Sequence, residues 1–169
     1  MFCWQITKYD PKNRDENRVY LKDDWTEYGD IGQTFDGKKL TFAEYLEVEA
    51  KYIQAVLLFM ECLGIDTLKV TDLIYRARLR KKALIDGKMI IEGTHYNYEM
   101  IAFLIQSMLR DKFDCMLEAE NMRVRFCYDY YMVLACSMPC PSTIKQIENM
   151  GLFVEKTGRE FLFEEEDDE

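Results

Sequence analysis

Phe113-Asp114-Cys115-Met116-Leu117-Glu118-Ala119-Glu120-Asn121-Met122-Arg123-Val124-Arg125-Phe126-Cys127-Tyr128-Asp129-Tyr130-Tyr131-Met132-Val133-Leu134-Ala135 is the stretch that decides the fold. It reads as a hairpin: one arm over Phe113–Glu118, a turn at 119–121 and a long arm over Met122–Ala135. On the long arm Val124, Phe126, Tyr128, Tyr130, Met132 and Leu134 share one face, while Arg123, Arg125, Cys127, Asp129 and Tyr131 share the other. A period of two with one apolar face predicts an antiparallel sheet packed on helices on one side and partly solvated on the other.

Two segments supply long helices for that apolar face. Thr41-Phe42-Ala43-Glu44 fits a capping box, in which the threonine oxygen and the glutamate each satisfy an amide at the helix start. Phe42, Leu46, Ala50, Ile53, Leu57 and Met60 then recur at helical spacing, widened by Tyr52, Val56, Phe59 and Leu63, and Gly64 ends the run. The second helix spans about 97–111, with Tyr98, Ile101, Ala102, Ile105, Met108 and Leu109 on one face. A short third helix follows Ser142 as its cap, turns Ile144, Ile147 and Met150 inward, and stops at Gly151.

The remaining strands are short. Phe2–Tyr9, rich in aromatic and β-branched residues, is one and Thr67–Thr71 another, and Leu152–Lys156 pairs with Glu160–Phe163 across Thr157-Gly158. Asp86-Gly87 is a tight-turn signal. From Asp10 to Lys39 the chain is turn-rich, yet Tyr20, Trp25, Tyr28 and Phe35 recur, so this segment is irregular but tied to a core. The order of elements predicts an α+β fold, a largely antiparallel sheet packed against two long helices and one short helix. Residues 1–163 form a single domain, and 164–169 form an acidic C-terminal tail.

Charge restricts the functional classes. Asp and Glu number 31 against 22 Lys and Arg, a net charge of −9. The six residues from Glu164 are all acidic, so residues 1–163 carry 25 acids against 22 bases, or −3. A tail of this kind is either a solvated end or a contact for a basic partner. Against this background Arg76, Arg78, Arg80, Lys81 and Lys82 form a basic cluster, either a phosphate-binding surface or a solvated face. No apolar run reaches the roughly 18 residues of a membrane span, and the N-terminus lacks a signal-peptide pattern, so the expected location is cytoplasmic with no membrane partner.

Little in the chain points to catalysis. His95, the one histidine, lies in Gly93-Thr94-His95 with no patterned partner, so it is a weak general-base candidate. Six cysteines include Cys136 and Cys140, a possible metal half-site that has no second half; buried free thiols are the simpler reading. Asp23, Asp24 and Asp30 lack the spacing of a calcium loop. The expectation is no catalytic residue, no cofactor and no metal. Asp129, flanked by tyrosines, is either a hydrogen-bonded structural group or a contact for a partner's Arg or Lys.

Two blocks carry a resemblance. One runs from Phe2-Cys3-Trp4-Gln5-Ile6-Thr7-Lys8-Tyr9-Asp10-Pro11 to Asp24-Trp25-Thr26-Glu27-Tyr28-Gly29-Asp30-Ile31-Gly32 and on to Thr41-Phe42-Ala43-Glu44-Tyr45-Leu46. The other is Tyr128-Asp129-Tyr130-Tyr131-Met132 followed by Gly151-Leu152-Phe153-Val154-Glu155. Together they resemble immunity proteins of bacterial contact-dependent growth inhibition, of the kind paired with ribonuclease toxins. The resemblance implies a cytosolic protein that binds and neutralises a cognate nuclease toxin domain, with no catalytic residues of its own. Residues 66–95 match nothing in that pattern.

An inhibitor of a basic nuclease needs carboxylates and exposed aromatic rings together. Asp23, Asp24, Trp25, Glu27, Tyr28 and Asp30 form one candidate partner-binding region, and Asp129 with Tyr131 the other. A rival reading has Trp25 and Tyr28 pinning the N-terminal loop to the core. Two alternative functions remain: RNA binding or processing through Arg76–Lys82, which the −9 charge opposes, and a non-enzymatic scaffold subunit. For an inhibitor, direct binding of nucleic acid is not expected.

Overall fold

The computed structural model describes residues 1–158 and is an α+β fold. In chain order the strands and helices are β1 (Phe2–Thr7), β2 (Thr34–Phe35), β3 (Lys38–Lys39), α1 (Phe42–Leu63), β4 (Thr67–Tyr75) and β5 (Arg78–Leu79). They continue as β6 (Lys82–Ile85), β7 (Lys88–Ile91), β8 (His95–Asn97), α2 (Tyr98–Leu109), β9 (Asp114–Ala119) and β10 (Met122–Phe126). The last are β11 (Tyr131–Cys136), α3 (Pro141–Asn149) and β12 (Phe153–Lys156). The main sheet runs β12-β1-β11-β10-β9-β4-β5, with β8 also on β4, and its paired strands are antiparallel. β2–β3 and β6–β7 are separate hairpins.

One face of the sheet contributes Ile6, Leu68, Val70, Leu117, Val124, Met132 and Leu134 to the main core, where the buried residues of α1, α2 and α3 join them. The opposite face carries a smaller cluster of Cys3, Met116, Val133 and Ala135. The larger core lies on the face that the hairpin pattern marks as apolar, but the expected solvation of the other face fails at the sheet's centre, where these four residues are buried.

The long arm expected over 122–135 is two strands. β10 and β11 pair in register Phe126↔Met132 and Val124↔Leu134, and the chain reverses at Asp129-Tyr130. Both turn residues are left-handed, with φ 59° and 62°. Partners such as Phe126 and Met132 differ by an even number, so the reversal preserves the inside–outside parity. The alternation therefore reads through the turn as if the strand were unbroken. Tyr128 is the exception: expected on the apolar face, it is 93% exposed.

Three further differences have local causes. The buried face of α1 is Tyr45, Glu49, Tyr52, Ala55, Val56, Phe59 and Met60, whereas Phe42, Leu46 and Ala50 are exposed and Leu57 is half-buried. Apolar residues surround much of this helix, and the true face includes a carboxylate, so hydrophobicity alone sets the wrong phase. Glu49 is tolerated there because Arg110 clamps it, Nε to Oε2 at 2.7 Å and Nη2 to Oε1 at 2.8 Å. At α3 the cap position is Cys140, not Ser142, because Pro141 already opens the helix. β4 extends to Tyr75, past an irregularity between Thr71 and Ile74.

The capping box at Thr41 forms as expected, and the second long helix has a cap of its own. Thr41 Oγ1 accepts from the Glu44 amide and Glu44 accepts from the Thr41 amide; Asn97 caps α2 by accepting from the Met100 amide. Gly64 is left-handed at φ 66°. β12 pairs with β1. The expected strand Glu160–Phe163 and the acidic tail Glu164–Glu169 lie outside the described residues.

Candidate functional site: an acidic cleft at the hairpin tip

The cleft begins with an unfavourable turn. Three residues, Tyr128–Tyr130, connect Cys127 to Tyr131, and the last two are consecutive left-handed residues, a turn geometry that normally takes Asn-Gly because a side chain on a left-handed residue crowds its own backbone. Here the second position is Tyr130. Its ring is buried, edge-on to Trp25 at 4.9 Å and to Tyr52 at 5.7 Å between centroids. Its hydroxyl donates to the Leu109 carbonyl at 2.8 Å and lies 2.9 Å from the Tyr45 hydroxyl. Its carbonyl accepts from the Tyr52 hydroxyl at 2.6 Å, and that hydroxyl accepts from the Lys8 amide at 2.8 Å. The buried tyrosine fixes the turn, and the turn then projects Tyr128 and Asp129 into solvent.

Beside this tip lies a cleft of about 600 Å³ between the hairpin, the α2–β9 connection, the end of β4 and the loop at Thr26-Glu27. Four carboxylates line it, Glu27, Asp111, Asp114 and Asp129, against one guanidinium, Arg125. Phe113, Phe126, Leu109 and Ile74 supply apolar lining. Arg125 reaches Asp72 at 3.5 Å. Burial pushes the Asp114 carboxyl above the usual aspartate range, with the Arg125 charge pulling the other way. Burial raises the Asp111 carboxyl as well. A cleft with excess carboxylate, some of it short of solvation, favours an incoming Lys or Arg that restores that solvation with charged hydrogen bonds.

The residues expected from the sequence separate into different places. Glu27 and Asp129 meet at this cleft although 102 positions separate them. Trp25, expected as an exposed anchor, is 7% exposed and packs on Tyr45 and Tyr130, so it pins the loop. Tyr28 is half-buried against Tyr45 at 5.1 Å, with the Arg110 guanidinium over its ring. Asp24 pairs with Lys8 at 2.8 Å, and the Lys8 ammonium lies 4.1 Å from the centroids of both Tyr9 and Trp25. Burial lowers that lysine's pKa while Asp24 opposes the shift. Asp30 accepts from the Thr26 and Glu27 amides and so shapes its own loop. Asp23 is exposed, accepts from the Asp36 amide at 3.1 Å, and lies in a separate hollow with Asp24 and Glu44.

Asp129 is not on a strand face beside Tyr131 but at the turn. Tyr131 is half-buried, stacked on Tyr9 at 5.5 Å, and borders a different recess with Arg14 and Glu155. Asp111, Asp114 and Tyr128 belong to the cleft and went unread in the sequence. The one available signal was two aspartates flanking Phe113 where a helix gives way to a strand.

His95 is exposed on β8, opposite Lys69. Cys136 and Cys140 are buried. No group of three or more His, Cys, Asp or Glu suited to a metal ion occurs among the described residues, where no helix is long and apolar enough to cross a membrane.

No family model matches the chain, and no curated protein or solved structure does so either.

Proposed function

We propose that the chain is an immunity protein that binds the basic nuclease domain of a cognate bacterial toxin and neutralises it in the cytoplasm, without enzymatic activity of its own. The observation that carries this reading is the cleft: four carboxylates against one arginine, beside an exposed tyrosine held on a turn that a buried ring makes rigid. A nuclease must present cationic groups to bind phosphate. A preorganised acidic cleft meets those groups with little ordering cost, and the aromatic ring beside it supplies contact area. The chain's −9 charge accelerates encounter with such a partner. The resemblance of the blocks at 2–46 and 128–155 supports the same reading.

The test is association and protection. The gene immediately upstream should encode a large exoprotein with a C-terminal nuclease domain. That domain, purified, should bind the chain in isothermal titration, and coexpression should rescue growth. Charge reversal at Glu27 and Asp129 together should weaken both effects while leaving the thermal transition in place. Native affinity in that variant would move the interface away from the cleft, and absence of any binding by the wild-type chain would overturn the immunity reading.

A further inference from the structure

The basic cluster at Arg76–Lys82 has no role in the acidic cleft's proposed chemistry, and the structure joins it to an exposed apolar face. In the β6–β7 hairpin, Ala83, Ile85 and Ile90 point inward and are buried. The pairs Leu84↔Met89 and Lys82↔Ile91 therefore share the outward face. Leu84, Met89 and Ile91 are exposed there, and Leu79 on neighbouring β5 is 72% exposed. Leu84, Met89 and Ile91 are thus adjacent to one another, on one side of one hairpin, rather than scattered singly.

Charge adjoins the face along β5 and the start of β6. Residues 76–91 hold six bases, Arg76, Arg78, Arg80, Lys81, Lys82 and Lys88, against the single acid Asp86, a net of +5 in a chain of −9; Lys88 pairs with inward Ile85 and packs over Phe103, so the first five are the ones available to the face. Lys81 pairs with Glu92, and Asp86 pairs with Lys112. Arg76, Arg78, Arg80 and Lys82 make no ion pair among the described residues. Arg76 and Ala77 form a left-handed turn, φ 53° and 57°, that holds the arginine in solvent at the hairpin tip.

We propose that this surface adsorbs onto anionic lipid headgroups, with the bases on phosphate and Leu84, Met89 and Ile91 dipping into the acyl boundary. Two features select this occupant. The exposed side chains of the face are aliphatic, whereas single-stranded nucleic acid is gripped by stacking on aromatic rings. The outward face is two strands of four residues. That is a patch roughly 14 Å long and two strands wide, far below the roughly 800 Å² per partner of a stable protein interface. Membrane binding has no such threshold, since it grows with each inserted apolar group and each base near the surface. The acidic remainder of the molecule does not prevent contact, because charges farther than about 8 Å from the lipid are screened at physiological salt. A peripheral contact needs no spanning segment, so it departs from the expectation that the chain has no membrane partner without requiring an apolar run.

The experiment is flotation of the full chain with vesicles of phosphatidylglycerol and phosphatidylethanolamine, beside vesicles of phosphatidylcholine alone. The wild type should float with the first, not the second, and release at high salt. Arg78→Gln with Arg80→Gln and Lys82→Gln, and separately Leu84→Ser with Met89→Ser, should each lower the bound fraction by about tenfold or more. Met89→Leu should bind as the wild type does, and matched thermal transitions would confirm that all variants are folded. Binding lost only in the charge variant would overturn insertion, and failure of the wild type to float would overturn the whole proposal. RNA bound by the wild type and by the apolar variant but not by the charge variant would assign the face to nucleic acid instead. None of these outcomes depends on the toxin.

Discussion

The Tyr52 hydroxyl donates to the Tyr130 carbonyl across 78 positions of sequence, at 2.6 Å, and so fastens the middle of α1 to the turn that carries Asp129. The same oxygen accepts from the Lys8 amide at 2.8 Å, which adds the end of β1 to the joint. One buried phenol thus satisfies two backbone groups, and burial pushes its pKa well above the ordinary tyrosine value, so it stays neutral. Tyr52→Phe keeps the ring and strands both partners. The expected cost is about 1–3 kcal/mol, measured by chemical denaturation. A loss under about 0.3 kcal/mol would mean that the turn is held by the Tyr130 ring alone.

The burial pattern of α1 distinguishes two of its apolar residues. Phe59 is fully buried, so Phe59→Ala should cost about 3–5 kcal/mol, whereas half-buried Leu57→Ala should cost about 1–2 kcal/mol. The sequence stripe instead places Leu57 in its middle, with Phe59 among the residues that widen it, and there Leu57→Ala carries the cost of a fully buried leucine, about 2–5 kcal/mol. Equilibrium unfolding of the two variants decides between them, and a larger loss at Leu57 would restore the original phase.

Four hairpin turns explain how far the sequence could be read. Each has two consecutive left-handed residues: Asp36-Gly37, Arg76-Ala77, Asp86-Gly87 and Asp129-Tyr130. The two Asp-Gly turns are visible because glycine meets no steric penalty at positive φ. The other two lack glycine and asparagine; at Asp129-Tyr130 the conformation is set by contacts far away in sequence, those of the Tyr130 ring, and Arg76-Ala77 is an exposed turn whose sequence carries no turn signal. The α+β class, the Thr41 capping box, the Gly64 stop and the face of the sheet that packs on the helices were legible, since they depend on local periodicity and on capping chemistry, whereas the burial of Val133 and Ala135 on the other face was not. The cleft was only half legible. Glu27 and Asp129 stood out as acids next to aromatics, but the fold alone sets Asp111 and Asp114 beside them, and Trp25 looked like an anchor until its partners Tyr45 and Tyr130 were placed.

Asp24 illustrates why the interface test must be narrower than a block of acids. It is held by Lys8 at 2.8 Å and accepts from the Trp25 amide, so reversing its charge would leave a half-buried lysine facing a like charge. Asp129, by contrast, is exposed at a left-handed turn position that asparagine favours. Asp129→Asn should therefore hold stability within about 0.5 kcal/mol of the wild type. Affinity for the basic partner should fall by roughly tenfold, mostly through faster dissociation if the carboxylate is covered in the complex. Kinetics on immobilised toxin domain would separate the two. Unchanged rates would leave Tyr128, not Asp129, as the working part of the tip.

Protons should compete with the partner for the cleft. Burial holds the Asp114 and Asp111 carboxyls above the usual aspartate range in the free protein. A docked ammonium or guanidinium stabilises the ionised form and lowers those pKa values. Binding thus releases protons as pH approaches them, and affinity is greatest above the raised values and declines as pH falls through them. The decline should begin at a pH above the usual aspartate range. The sign for folding is opposite. A carboxyl raised in the folded state destabilises it above that pKa, and the penalty fades as pH falls toward the unfolded value. Asp114→Asn should accordingly fold at neutral pH no less stably than the wild type. It should bind the partner more weakly and show a shallower pH dependence of affinity. Titrations of both proteins across the acidic range test each part: a variant that keeps the wild-type slope would place the titrating group elsewhere, and one that loses stability at neutral pH would make Asp114 a partner of Arg125 in folding rather than a carboxylate reserved for the toxin.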